Sequence, residues 1–159
     1  MYCQSETKGW QDQGMTWIRF AWLTLTVAAV GLAVAVAGWP MYQITNCEVG
    51  ALTPAVPTAQ ACNELMRDYF GTPLFFVLVV PVVVCTAPAL YPLPRISWMA
   101  VGALVLAVVV GLVSVSSESP SPLAALCATI PLAAVAIVLA IVHHIVASHS
   151  SRMQLRTPR

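Results

Sequence analysis

Charge is what this sequence has least of. Only 8% of its 159 residues are Asp, Glu, Lys or Arg, against roughly 25% in a soluble domain, so a folded chain has too few charges to cover a water-facing surface. The shortage is concentrated. Four apolar runs, Phe20–Trp39, Pro73–Leu90, Ile96–Val115 and Leu123–Ala147, contain no carboxylate, lysine or arginine at all. Each is long enough as a helix to cross roughly 30 Å of hydrocarbon. The pattern predicts an all-α integral membrane protein, a four-helix bundle forming one domain over residues 1–159. The same absence removes the groups on which intramembrane proton paths, ion sites and counter-ions are built. A net charge of +1, with no basic cluster interleaved with aromatics, excludes nucleic acid as a partner.

Motifs of catalysis are missing too. The chain has no C-x-x-C, G-x-S-x-G, Walker loop, H-E-x-x-H or pair of intramembrane carboxylates. Its histidines, His143, His144 and His149, all lie near one end of the fourth run. Neighbours on a helix point about 100° apart, so His143 and His144 do not face one metal, and no second run carries a histidine to clasp a haem. Cys85 and Cys127 are single thiols in apolar runs and read as small hydrophobes. A proton-coupled four-helix drug exporter needs an acid in its first span, and Phe20–Trp39 has none. The expectation is a protein without metal, cofactor or catalytic site.

The charges that are present give an orientation. Lys8 and Arg19 precede the first run, Arg95 lies between the second and third, and Arg152, Arg156 and Arg159 follow the fourth. Alternating helices put all of these on one side, where the positive-inside rule expects the cytoplasm. Glu48, Glu64, Arg67, Asp68 and Glu118 fall on the other side. Both termini are therefore expected in the cytoplasm, with 40–72 and 116–122 outside. Ala35, Val36 and Ala37 resemble a signal cleavage site, but the first run is read as a retained anchor. Trp17, Trp22, Trp39 and Tyr42 flank it as interfacial aromatic anchors. Six arginines against one lysine, with heavy Ala and Val usage, suggest a GC-rich bacterial genome such as an actinobacterium's, and hence the bacterial inner membrane.

Cys47 and Cys62 fall in the first outer loop, separated by fourteen residues, where an oxidising compartment permits a disulfide. Closing a loop of about 15 residues contributes about 3 kcal/mol in the chain-entropy model. A redox-active pair, as in quinone-linked disulfide-generating membrane proteins, is the alternative reading of these two thiols. After Pro57, Thr58 is a candidate N-cap, and Cys62, Leu65, Met66, Tyr69 and Phe70 follow a helical period up to Gly71. A short amphipathic helix is predicted there, with a Glu64–Arg67 pair on its solvated side.

Pro81 and Pro88 each remove a backbone donor from the second run and predict a bend. Pro131 acts similarly near the start of the fourth. Small residues four apart, Gly31 and Ala35, then Ala103, Ala107 and Gly111, then Ala136 and Ala140, allow close helix approach. These are the predicted packing stripes.

Four spans with an outer-loop disulfide match the claudin arrangement in outline, but the Gly-Leu-Trp and closely spaced cysteines of that family are absent. In topology, length and Ala, Val and Arg bias, the chain resembles the small four-span accessory subunits of actinobacterial membrane complexes. Among these, the Mce-type lipid importers come first and the respiratory assemblies second. The resemblance implies a non-catalytic accessory or assembly subunit whose partners are transporter permease or respiratory subunits and lipids.

Overall fold

The computed structural model describes residues 3–40, 63–116 and 121–154, with side chains from Thr16 to Ser148 within those ranges. Among them the fold is helical throughout apart from one isolated bridge, and four helices are long and apolar enough to span a bilayer. The first, α1, is one unbroken helix over Cys3–Ala37. It starts well before Phe20, so the helix outruns the predicted span. Hydropathy marks hydrocarbon depth, whereas helix length depends on breakers. Between Cys3 and Thr16 there is no proline, and Gly9 and Gly14 each cost only about 1 kcal/mol. At the other end Gly38 donates to the Val34 and Ala35 carbonyls, Trp39 to that of Val36, and Pro40 ends the run.

Pro40 pairs with Leu65 in an isolated antiparallel bridge, and the Met66 amide donates to the Trp39 carbonyl at 2.9 Å. The residues flanking 41–62 are thus stitched together at one end of the bundle. Of the predicted amphipathic helix, the stretch from the Thr58 N-cap to Cys62 lies outside the described residues. The helix α2 covers only Met66–Phe70, because Leu65 is held extended by the bridge and Asn63 and Glu64 form a turn and a bend. Its apolar stripe turns inward. Met66 is fully buried with Val36, Leu74, Leu78 and Ala125, and Tyr69 and Phe70 meet edge to face at 4.9 Å. Arg67 pairs with Asp68 at 3.4 Å instead of with Glu64. Gly71 then adopts φ 58° and ψ −135°, a backbone shape that only glycine takes without strain.

The next helix, α3, runs over Thr72–Leu90 and continues through Pro81 and Pro88, whose rings lie buried in the bundle. After the link Tyr91–Leu93, α4 covers Pro94–Val115. The fourth span is not uniform. Pro122–Thr129 is wound as a 3-10 helix, and only from Ile130 does the α-helix α5 continue to Gln154. Pro131 supplies the local reason. It has no N–H for the Cys127 carbonyl four residues back, and Ile130 bonds that carbonyl from three residues on instead.

Around the bundle, α1 packs on α3 and α5, while α4 packs on those same two helices and on the 3-10 segment. The inner core joins Trp22, Leu25 and Ala29 of α1 to Cys85 and Ala89 of α3. It continues through Ala100, Val101 and Leu104 of α4 to Leu132, Ala133, Ala136 and Ala140 of α5. At the loop end, Gly111 marks the tightest approach. A Cβ placed there would stand 2.6 Å from the Cys127 amide nitrogen and 2.9 Å from the Leu126 carbonyl carbon.

That approach generates a paired prediction. Gly111→Leu should destabilise the bundle by about 1–3 kcal/mol through overpacking, whereas Gly102→Leu, whose Cβ position is open, should change little. Unfolding in mixed micelles by SDS titration measures both, and equal effects would refute the packing assignment.

Candidate functional site

At the end of the bundle where α3 passes into α4, two polar side chains meet inside the core. Ser97 lies within the first turns of α4, its amide bonded to the Leu93 carbonyl at 3.2 Å. Its side chain is completely buried, and Oγ lies 2.8 Å from Nδ1 of His143 on α5, which is itself 3% exposed. In the tautomer that carries its ring proton on Nε2, Nδ1 accepts from the Ser97 hydroxyl. The contact fastens the start of α4 to α5.

A serine beside a histidine is also the arrangement of an activated nucleophile. Exposure decides between the two uses. Ser97 has no accessible surface, so no substrate carbonyl reaches Oγ in this conformation. The Ile96 and Ser97 amides, candidates for holding an oxyanion, both already donate to Leu93. The geometry supports an interhelical clasp.

His144 points away and is exposed, as the 100° offset requires. Among the described residues no three His, Cys, Asp or Glu side chains converge. A crevice of about 10 Å³, room for about one water, lies between Ala29, Val36, Leu78, Pro81, Ala125 and Thr129. It does not reach the Ser97–His143 pair.

The predicted site residues separate into distinct groups. Cys47, Cys62 and Tyr42 lie outside the described residues. Of the small-residue stripes, Ala107, Gly111, Ala136 and Ala140 are buried at helix contacts, and Ala103 is half-buried. Gly31 and Ala35 instead face outward, with nothing within 4 Å of the Gly31 Cβ position. Trp17 and Trp39 are exposed at opposite ends of the span, at 72% and 36%.

Trp22 is a correction. Expected as an interfacial anchor, it is 0% exposed, the largest side chain in the core, and its Nε1–H has no partner among the described residues. Its neighbours in the cluster include Ala29, Ala89, Ala100, Ala136 and Ala140, and such small side chains leave the volume that an indole fills. Sequence reasoning also missed Ser97. The available signal was a lone hydroxyl in the first turns of one span and a histidine in the adjacent antiparallel span, at the same membrane depth.

No family model, curated protein or solved structure matches this chain.

Removing the hydroxyl should expose what the clasp contributes. Ser97→Ala leaves Nδ1 of His143 without its hydrogen-bond partner and should cost about 1 kcal/mol of bundle stability, read by SDS unfolding. A fluorophosphonate probe should leave the native protein unlabelled. Labelling that Ser97→Ala abolishes would overturn the clasp reading in favour of a nucleophile.

Proposed function

We propose that this chain is a non-catalytic accessory or assembly subunit that seats laterally against a larger membrane complex. The observation that carries the reading is the use made of small residues. Lipid gains nothing from the absence of a side chain, whereas a neighbouring helix can bring its backbone close only where side chains are small. Inside the bundle, Gly111 serves such an approach, and Ala136 and Ala140 are fully buried. On α1, Thr24, Ala28, Gly31 and Ala35 are all exposed, as is Gly38 just past its end, at alternating spacings of four and three that follow one helix flank. This smooth strip has no partner among the described residues and is bordered by exposed Val27 and Val34.

The complex we favour is a lipid-import transporter of the Mce type in a bacterial inner membrane, with a respiratory assembly as the other candidate. Both termini lie in the cytoplasm in this reading, because Arg19 and Arg95 are on one side and Glu64 and Asp68 on the other. The outer loop is closed by Cys47–Cys62.

Two measurements test this. Tagged protein purified in mild detergent should bring down stoichiometric partner chains, including a permease. Gly31→Leu should reduce that recovery several-fold while leaving the subunit's own unfolding midpoint unchanged, since the position is open. Recovery of the native protein only as a free monomer would sink the proposal. Separately, alkylation without reductant should leave Cys47 and Cys62 unmodified, and prior reduction should add two labels. Labelling of both without reductant would remove the disulfide.

A further inference from the structure

Winding and composition disagree over Pro122–Thr129. Runs of 3-10 helix beyond about four residues are uncommon, and this one holds eight. Its middle, Leu123 to Ala128, is built of leucine, alanine and one cysteine, and alanine and leucine lead the α-helix scale. Pro131 accounts for the Cys127 carbonyl alone. Every carbonyl from Ser121 to Leu126 has an N–H four residues on, so α-type bonds are open to each of them. Where local preference and observed shape disagree, packing holds the shape. Two contacts do so here. Toward α4, a Cβ on Gly111 would stand 2.6 Å from the Cys127 nitrogen, which leaves no room for a wider winding. On another face, Ala125 is buried with Met66 of α2 and with Val36, Leu74 and Leu78. Residues three apart eclipse in a 3-10 helix, so Ala125 and Ala128 form one column, and both line the crevice of about 10 Å³ shared with Ala29, Ala33 and Pro81.

We propose that Pro122–Thr129 is a two-state winding switch, 3-10 while Met66 is seated against Ala125 and α-helical once that seat is loosened. The rise falls from about 2.0 to about 1.5 Å per residue on conversion, so eight residues shorten by about 4 Å. An α-helix is also the wider of the two. The Gly111 side is closed, so the added width is taken up on the Ala125 and Ala128 side, where the crevice supplies part of the room and a displaced Met66 the rest. Ile130 and the helix behind it stay in place, since Leu132, Ala133 and Ala136 are packed in the inner core, and the start of the segment moves toward them. The α2 helix begins directly after Leu65, the bridge partner of Pro40. Whatever displaces the residues flanking 41–62 is thus passed into the fourth span through one methionine. The inference does not depend on which complex the subunit joins.

The test is the pattern of backbone proton contacts in the isotope-labelled full-length protein, read by NMR in micelles. A 3-10 winding brings each α-proton near the amide two residues on, and an α-helix brings it near the amide four residues on. The native protein should show the first pattern over 122–129. Met66→Ala, which empties the seat, should raise the α pattern there several-fold with α4 unchanged. Pro131→Ala, which returns the missing donor, should do the same from the other end. Adding Ala33→Val, which fills the crevice from α1, should cancel the Met66→Ala effect. Persistence of the 3-10 pattern in either single variant overturns the switch, as does an α pattern in the native protein or one that Ala33→Val leaves in place. Should the variants not fold, relaxation dispersion of the native amides decides. Microsecond-to-millisecond exchange confined to 123–129 is expected, and a flat profile refutes conversion.

Discussion

Inside hydrocarbon a polar group has no solvent to fall back on, and that constraint accounts for more of this structure than any apolar contact does. Threonine and serine hydroxyls within the spans return to their own helices. Thr24 donates to Phe20, Thr26 to Trp22, Thr86 to Val82 and Ser114 to Val110, each four residues back and each at 2.8–2.9 Å. Thr129 donates to Leu126 three residues back, as suits a 3-10 winding. Ser97 departs from this pattern by bonding across to His143. A hydroxyl spent on another helix ties elements together that back-bonding would leave independent.

The same constraint explains the irregular fourth span. Proline at 131 would orphan the Cys127 carbonyl in an α-helix, and the tighter winding before it supplies Ile130 as donor. A 3-10 helix is narrower than an α-helix and rises about 2.0 Å per residue against 1.5 Å. Its backbone can therefore come close to Gly111, where even a methyl group has no room. Local hydrogen-bond supply and long-range packing thus agree on the same eight residues. Trp22 is the exception, a buried donor with no acceptor. Such a group costs about 1–3 kcal/mol, and the fit of its ring among alanines is what sets against that cost.

Much of the architecture was legible in the sequence, because the absence of charge over 18–25 residues has one physical meaning in a helical chain. Helix number, order and approximate depth followed from it. What did not follow was whatever depends on neighbours. Trp22 and Trp17 stand five residues apart and read alike as membrane aromatics, but only Trp22 is buried in the core cluster. Ala107 and Ala35 are likewise the same residue in similar runs, one buried and one exposed. The length of α1 was hidden for a different reason, since its polar first turns carry no apolar period. The Ser97–His143 pair needs a register between two spans that no single-chain pattern supplies.

The distribution of buried and exposed small residues also bears on how such a protein can act. The interior is closed by side chains, and its polar pair joins helices and does not line a path. The outward face of α1 is built differently, because Gly31 presents bare backbone there. Small residues thus stand in two opposite settings: Gly111 meets the backbone of the 3-10 segment, while the Gly31 Cβ position has nothing within 4 Å among the described residues.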